Sequence, residues 1–179
     1  ALNGDGGDEA FVGYGRYATC RSLSRLDRLP PALRHAARRG LAAAARRLPA
    51  RYGRRLHALA SFLSGPDTPG SQRYAFTIAY FMDYQKREGY AEGMGDFLGC
   101  SALDRLDDYF AEAPDLVAGA NWADIHTYLP DDLMVKVDVA SMAHSLETRS
   151  PLLDHVLMEW AARLPLSVKQ FGFAAIPPR

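Results

Sequence analysis

The sequence predicts a mostly helical chain, and three observations predict it. Leu33, Ala36, Ala37, Leu41, Ala44, Ala45 and Leu48 recur at the spacing of one helix face, with Arg34, Arg38, Arg39, Arg46 and Arg47 off that stripe. Leu153, Val156, Leu157, Trp160, Ala161 and Leu164 repeat the pattern near the C-terminus. Little of the chain reads as strand, and Ala1-Leu2 alone fits the last residues of one. The 179 residues suffice for one domain with its own core, and no internal repeat divides them.

Each element has its own signal. Asn3 to Asp8 is a glycine-rich turn. Glu9 to about Ser24 is predicted as one helix with Phe11, Tyr14 and Tyr17 on a shared side, weakened by Gly13 and Gly15, each of which costs about 1 kcal/mol against Ala in a helix interior. Pro30-Pro31 punctuates, and Ala32–Leu48 is the amphipathic helix described above. Arg51–Leu63 continues helically, and Ser64–Gly70 is a loop rich in Pro and Gly. Ser71–Met82 is an aromatic-rich helix, and Ser101 to Asp104 is a capping-box-like start to a helix ending at Phe110. Trp122–Tyr128 is expected to be helical and to stop before Pro130. Asp131 or Asp132 is expected to cap a long helix to Leu146, and Ser150-Pro151 to open the last good one, with Ser as the cap. Residues 171–179, with no period and two prolines, read as a disordered tail behind a single domain of residues 1–170.

Composition excludes some functions and leaves others open. Lys plus Arg equals Asp plus Glu, so net charge names no partner. The distribution is uneven: eleven Arg and one acid, Asp27, lie between Arg21 and Arg55. A nucleic-acid patch would interleave aromatics there, and only Tyr52 does so, so a solvated helix face is the reading and no nucleic acid is expected. Cys20 and Cys100 are too few for a disulfide framework and have no metal spacing, which points to a reduced, cytoplasmic chain. No apolar stretch is long enough to span a membrane.

The loop Asn3-Gly-Asp-Gly-Gly-Asp-Glu9 carries the chemistry. Glycines allow positive φ and close approach of backbone to a ligand. A strand–loop–helix order aims free N–H groups at the loop mouth, which suits an anion. Asp5, Asp8 and Glu9 would repel a bare phosphate, but a divalent cation bridges carboxylate to phosphate, since Mg²⁺ takes one or two carboxylates plus phosphate oxygens. The plainer alternative is a solvated turn followed by an acidic first helical turn. The acid spacing fits no calcium EF-hand, and no Gly-Lys-Ser/Thr follows for a Walker loop.

Two blocks, LNGDGGDEAFVGYGRY at 2–17 and YLPDDLMVKVDVASMAHSLETRSPLLDHVLMEWAARLP at 128–165, closely resemble the synthetase domain of glutamine-hydrolysing asparagine synthetases in order and spacing. The resemblance runs to about Lys169 and is weaker in the middle. It implies that the chain is the helical C-terminal portion of an α/β domain of the adenine-nucleotide α-hydrolase (ATP-pyrophosphatase) type, with most of the parallel sheet missing. It further implies ATP-dependent conversion of aspartate to asparagine through β-aspartyl-AMP, using ATP, Mg²⁺ and ammonia from a glutaminase domain that this chain lacks. By position, Asn3 and Gly4 match the pair that contacts the nucleotide, although the family more often has Ser at Asn3. Asp5 matches an acidic position tied to forming the acyl-adenylate, and is the catalytic candidate. Asp8 matches the carboxylate that helps hold Mg²⁺ and pyrophosphate. Glu9 is expected only to cap the helix. The family commonly has Arg where this chain has Val139.

The second block offers further polar residues. Asp138 and Glu147, nine apart on the predicted helix, point about 180° from each other and cannot form a carboxylate pair there. Lys136 and Asp138 read as a surface pair or solvated face, Arg149 and Asp154 as a pair fixing the turn, and His144 as a helix-packing residue. The family's upstream Ser-Gly-Gly-x-Asp-Ser loop, its amino-terminal Cys and its late Lys-x-Gly-Phe do not occur, and Lys169 reads as an ordinary surface Lys. The chain is therefore expected to be an incomplete piece that neither binds ATP tightly nor makes asparagine alone. Two other readings stand beside this one: a related amidotransferase or cyclase acting on another carboxylate, and a non-catalytic helical remnant. Apolar faces left uncovered would favour self-association, so a homodimer is among the expected states.

Overall fold

The computed structural model describes residues 1–49, 52, 60, 63, 68–79, 89–91, 93–101 and 103–170. Its helices are α1 (Gly7–Phe11), α2 (Gly15–Leu26), α3 (Pro31–Arg47), α4 (Gly70–Ile78), α5 (Asp104–Ala111), α6 (Leu116–His126), α7 (Val135–Met142), α8 (His155–Arg163) and α9 (Leu166–Lys169). Two 3₁₀ turns, Gly95–Gly99 and Pro151–Leu153, and a π-helical turn, Leu129–Met134, join them. Among the described residues the one strand-like pairing is a parallel bridge between Leu2 and Arg149, where Ala1-Leu2 was expected to end a strand. No helix of the described residues is long and apolar enough to cross a membrane. The predicted helix over residues 51–63, most of the predicted loop that follows and the predicted tail lie outside the described residues.

The chain divides into two compact units, Ala1–Ala18 with the stretch from Asn121 onward, and Thr19–Ala120. In the second unit, Cys20, Leu23, Tyr74, Ala75, Leu116, Val117 and Ala120 are buried. Phe110 of α5 lies so close to Gly119 of α6 that a Cβ there would sit 2.4 Å from its ring, so the two helices meet only because residue 119 has no side chain. Polar pairs complete this unit. Arg73 of α4 donates both terminal nitrogens to Asp27, at 2.8 and 3.1 Å, and Ser71 donates to Asp107 of α5. In the first unit, Tyr17, Ala123 and Ala161 are fully buried, and Phe11 of α1 meets Trp160 of α8 edge to face at 6.4 Å.

Several boundaries differ from those the sequence predicts, each for a local reason. The helix expected from Glu9 to Ser24 is two, α1 and α2. Val12 turns left-handed (φ 59°), and the Gly13 N–H donates to the Asp8 carbonyl at 2.9 Å, which ends α1. The Asp8 carboxylate presses on Gly13, where a Cβ would lie 2.0 Å from Oδ1, so a side chain at 13 is excluded. In α3, Arg34 is buried rather than off the face. Its Nε donates to the Leu29 carbonyl at 3.2 Å and its Nη1 lies 3.9 Å from Asp27. Arg38, Arg39, Arg46 and Arg47 are exposed as expected, and so are Leu33, Ala36, Ala37 and Leu48 of the predicted stripe. Ser101 does not cap α5. Its hydroxyl accepts from the Leu103 N–H one turn too early, and Leu103 stands at the N-cap position with no side-chain bond.

α6 starts at Leu116, six residues before the predicted Trp122, because Asp115 caps it by accepting from the N–H groups of Val117 and Ala118, each at 2.9 Å. Pro130 does not stop the chain. It sits in the first turn of the π-helical segment, where its missing N–H leaves no bond unmade, and Asp131 and Asp132 lie inside that first turn while Tyr128 holds the N-cap position. α7 then ends at Met142 through a turn in which Ser145 is left-handed (φ 53°), short of Leu146. Pro151 opens a 3₁₀ turn, and the cap of α8 is Asp154, not Ser150: its carboxylate accepts from Val156 at 3.0 Å and Leu157 at 3.2 Å. On α8 only Ala161 of the predicted stripe is fully buried, while Val156 and Trp160 are exposed. Val135, Val139, Met142 and Leu146 are exposed as well.

The bidentate Arg73–Asp27 pair predicts a specific cost. Arg73→Met leaves a carboxylate without its main partner, and stability should fall by about 2–3 kcal/mol, read from urea unfolding. A loss below about 0.5 kcal/mol, the range of ordinary surface changes, would show that the pair does not hold this unit.

Candidate functional site

The glycine- and acid-rich loop is anchored at its start by main-chain pairing. The Arg149 N–H donates to the Ala1 carbonyl and the Asn3 N–H to the Arg149 carbonyl, both at 2.9 Å. Asn3 Oδ1 accepts from the Asp5 N–H at 3.3 Å, a side-chain-closed turn of the kind Asn favours. Gly6 then takes φ +87°, and a Cβ on it would lie 2.1 Å from Leu153 Cδ2. Both the torsion and the leucine demand glycine there. The Ala10 N–H donates to the Gly6 carbonyl at 2.8 Å, which joins the loop to α1.

The four residues singled out by sequence therefore lie on one short loop and the helix turn that follows it. Gly4 is exposed, with nothing within 4 Å of where a Cβ would project. Asp5 is half-buried and Asp8 exposed. The Asn3 amide nitrogen is buried and has no hydrogen-bond partner. Among the described residues no three His, Cys, Asp or Glu side chains gather into a metal-binding group. One exposed carboxylate beside an open backbone suits a Mg²⁺ ion that arrives with phosphate oxygens, and not a cation held by protein ligands alone.

Beneath the loop lies a polar cluster that sequence reasoning missed. Glu9, expected to cap α1, is inside it and 1% exposed. Its Oε1 accepts from the Tyr14 hydroxyl at 2.9 Å, its main-chain carbonyl accepts from Asn121 Nδ2 at 2.8 Å, and its Oε2 is buried with no partner. Burial pushes the Glu9 carboxyl above the usual range, and the Tyr14 hydrogen bond offsets only part of that. Asp124 of α6 is 2% exposed and accepts from the Tyr17 hydroxyl at 2.5 Å and from Arg16 Nε at 2.9 Å. The Arg16 guanidinium lies 4.0 Å over the Tyr14 ring and 4.5 Å over the Tyr128 ring. Burial raises both tyrosine hydroxyls far above their usual range, helped by Glu9 at Tyr14 and by the Asp124 charge at Tyr17. Nothing in the local sequence marks Asp124, which sits in a run that reads as ordinary helix, and nothing in the loop pattern marks Glu9 as buried.

The second block behaves differently from expectation. Glu147 lies beyond the end of α7, so the predicted opposition of Asp138 and Glu147 on one helix does not arise. Arg149 pairs with Glu147 and not with Asp154, which is occupied as a cap. Lys136, Asp138 and His144 are exposed, His144 in the turn after α7 and unpacked. Lys169 is half-buried at the end of α9, and burial lowers its pKa.

Comparison with known proteins gives the class. The chain is 30% identical over 171 residues to "Asparagine synthetase [glutamine-hydrolyzing] 1" of Bacillus subtilis, covering 94% of this chain and 25% of that protein. It is 34% identical over 170 residues to proteins of Mycobacterium tuberculosis and Mycobacterium bovis provisionally named as glutamine-hydrolysing asparagine synthetases, covering 94% of this chain and 24% of each. The chain thus spans about a quarter of the length of the relatives it matches. No solved structure matches it significantly. The class is that of synthetases. The family model for asparagine synthase matches residues 1–173, and the chain belongs to that family.

The raised carboxyl of Glu9 gives a pH prediction. A folded pKa above the unfolded 4.5 means that the neutral form suits the fold. Its contribution is complete below the unfolded pKa and is lost as pH rises through the folded one. Glu9→Gln cannot ionise, so its melting temperature minus that of wild type should increase between about pH 4 and pH 7.5, as followed by circular dichroism. A difference that stays constant across that span would contradict a buried, destabilising charge at Glu9.

Proposed function

We propose that the chain is the helical part of an ATP-dependent asparagine synthetase and contributes one side of its adenylation site. The observation that carries this is the loop itself: an open Gly4, a buried Asn3 amide without a partner and an exposed Asp8, within a stretch similar to synthetases over 94% of its length. Donors and an acid placed together on a fixed loop suit a metal-bound polyphosphate better than a bare anion, which the acids would repel. The parent domain in this reading is α/β, and the Leu2–Arg149 bridge is the edge of its parallel sheet.

In this reading an oxygen of the aspartate side-chain carboxylate attacks the α-phosphorus of ATP. The bond to pyrophosphate breaks and β-aspartyl-AMP forms. Ammonia, delivered by a glutaminase domain, then attacks the acyl carbon, AMP leaves, and the nitrogen gives up a proton to yield asparagine. Asn3 and the Gly4 backbone hold the nucleotide, Asp5 orients the groups that form the acyl-adenylate, and Asp8 holds Mg²⁺ with pyrophosphate. When bound, Mg²⁺ neutralises charge that develops on the departing pyrophosphate. The rest of the site comes from polypeptide beyond these 179 residues, and the working protein is cytoplasmic.

The test is aspartate-dependent ATP–pyrophosphate exchange by the longer polypeptide that contains this chain. Exchange should require aspartate, and Asp8→Asn should lower it by roughly 10- to 100-fold, the usual effect of losing a metal-site carboxylate. Exchange supported by another carboxylate but not by aspartate would contradict the assignment. So would an Asp8→Asn variant as active as wild type. Titration of the 179-residue chain alone with Mg-ATP should show no micromolar binding.

A further inference from the structure

We propose that Tyr14 is a positioning residue for the Asn3–Asp8 loop and that Arg16 holds Tyr14 in place for that task. The functional part of this inference rests on the reading above; the structural part does not. Glu9 is the joint. Main-chain bonds on either side of it, Ala10 N–H to the Gly6 carbonyl and Gly13 N–H to the Asp8 carbonyl, tie the loop and α1 together. Glu9 lies between Asp8 and Ala10, whose main-chain groups make these two bonds, so the position of Glu9 is tied to that of the loop. The Glu9 side chain is buried, and its carboxylate has one hydrogen bond, from Tyr14. A buried carboxylate with a single donor takes its position from that donor.

Tyr14 can set a position only if its own ring is fixed, and three side chains pack on the half-buried ring. The Arg16 guanidinium covers one face at 4.0 Å. The Tyr128 ring meets it edge on at 5.9 Å and 75°, and Tyr17 lies at 5.7 Å. Arg16 is in turn set by its Nε bond to the buried Asp124. Neither Tyr14 nor Arg16 belongs to the loop, and no catalytic contact is needed from them. They act through Glu9, which fixes where the open Gly4 face and Asp8 stand relative to a ligand. A site whose supporting residues are locked in this way is organised before it binds.

The experiment compares the amide spectra and hydrogen exchange of the 179-residue chain in four forms: wild type, Tyr14→Phe, Arg16→Lys and Leu23→Ala. Tyr14→Phe keeps the ring that Arg16 covers and removes only the donor to Glu9. Leu23→Ala truncates a buried residue of the other unit and controls for general loss of stability. Tyr14→Phe should displace the Gly4, Gly6 and Gly7 amide resonances and speed exchange of the Ala10 amide about tenfold, a shift of ~1.4 kcal/mol in local opening. Arg16→Lys, which keeps the charge but not the planar fork, should give a smaller displacement of the same resonances and serves if Tyr14→Phe folds poorly. Leu23→Ala should leave them unmoved. Wild-type-like loop resonances in both Tyr14→Phe and Arg16→Lys would overturn the proposal, as would equal displacement by Leu23→Ala. In the longer polypeptide, Tyr14→Phe should raise the KM for Mg-ATP several-fold, whereas a merely structural role would lower apparent kcat with the folded fraction and leave KM unchanged. Absence of aspartate-dependent exchange in wild type would sink the function and leave the loop measurement standing.

Discussion

Burial of the Asp124 carboxylate is the constraint on which the first unit depends. A carboxylate removed from water is costly unless donors replace the water it loses. Here the donors are Tyr17 and Arg16, more than a hundred residues earlier in the chain, at 2.5 and 2.9 Å. Tyr17 also accepts from Asn121 at 3.3 Å, and the same Asn121 amide reaches the Glu9 carbonyl. The start of the chain and its last third are therefore joined through one small polar cluster, in a unit where Ala10, Val12, Ala123 and Leu129 are buried. Both donors lie in the first turn of α2, directly after the Val12–Gly13 turn that separates it from α1.

The loop takes its shape from both ends of this arrangement. The Leu2–Arg149 pairing sets its start, Leu153 against Gly6 sets its middle, and Glu9 with Tyr14 sets its end. None of these contacts uses the Asn3 amide nitrogen, which is buried with no hydrogen-bond partner. In the proposed reading, a loop held in this way loses little freedom on binding a polyphosphate. The exposed apolar residues Leu2, Val139, Met142 and Trp160 in the same unit are the surface that the rest of a longer domain would cover in the proposed reading.

Much of the helical content is legible because α3 and α8 carry helical apolar spacing and Pro30-Pro31 marks the start of α3, although Pro151 opens a 3₁₀ turn and not α8 itself, and Leu33, Leu48, Val156 and Trp160 of the two stripes are exposed. Helix ends were less legible because several residues could cap, and the winner depends on tertiary position. Ser101 and Asp115 are both good caps, but Asp115 stands directly before its helix and accepts from two of its N–H groups, whereas Ser101 lies two residues ahead of the N-cap position, Leu103. Ser150 loses to Asp154 because Pro151 opens a 3₁₀ turn before α8. Arg34 was misread because a guanidinium can be buried once Asp27 and a carbonyl meet it, and no local pattern reveals a partner seven residues upstream. At the candidate site, residue types and spacing pointed to Asn3, Gly4, Asp5 and Asp8, which the fold does bring onto one loop. Asp124 is not legible, and Glu9 reads as a helix cap and not as a buried acid, because what sets them apart is burial and long-range partners, which periodicity does not encode.

The most direct test of this account is urea unfolding of Asp124→Asn, which keeps the shape of the side chain and removes its charge. If Asp124 organises the first unit, the variant should lose about 3 kcal/mol or more, because it removes the charge that Arg16 pairs with at 2.9 Å and that the Tyr17 hydroxyl donates to. Stability within about 0.5 kcal/mol of wild type would contradict the claim that this buried carboxylate holds the loop-bearing unit together.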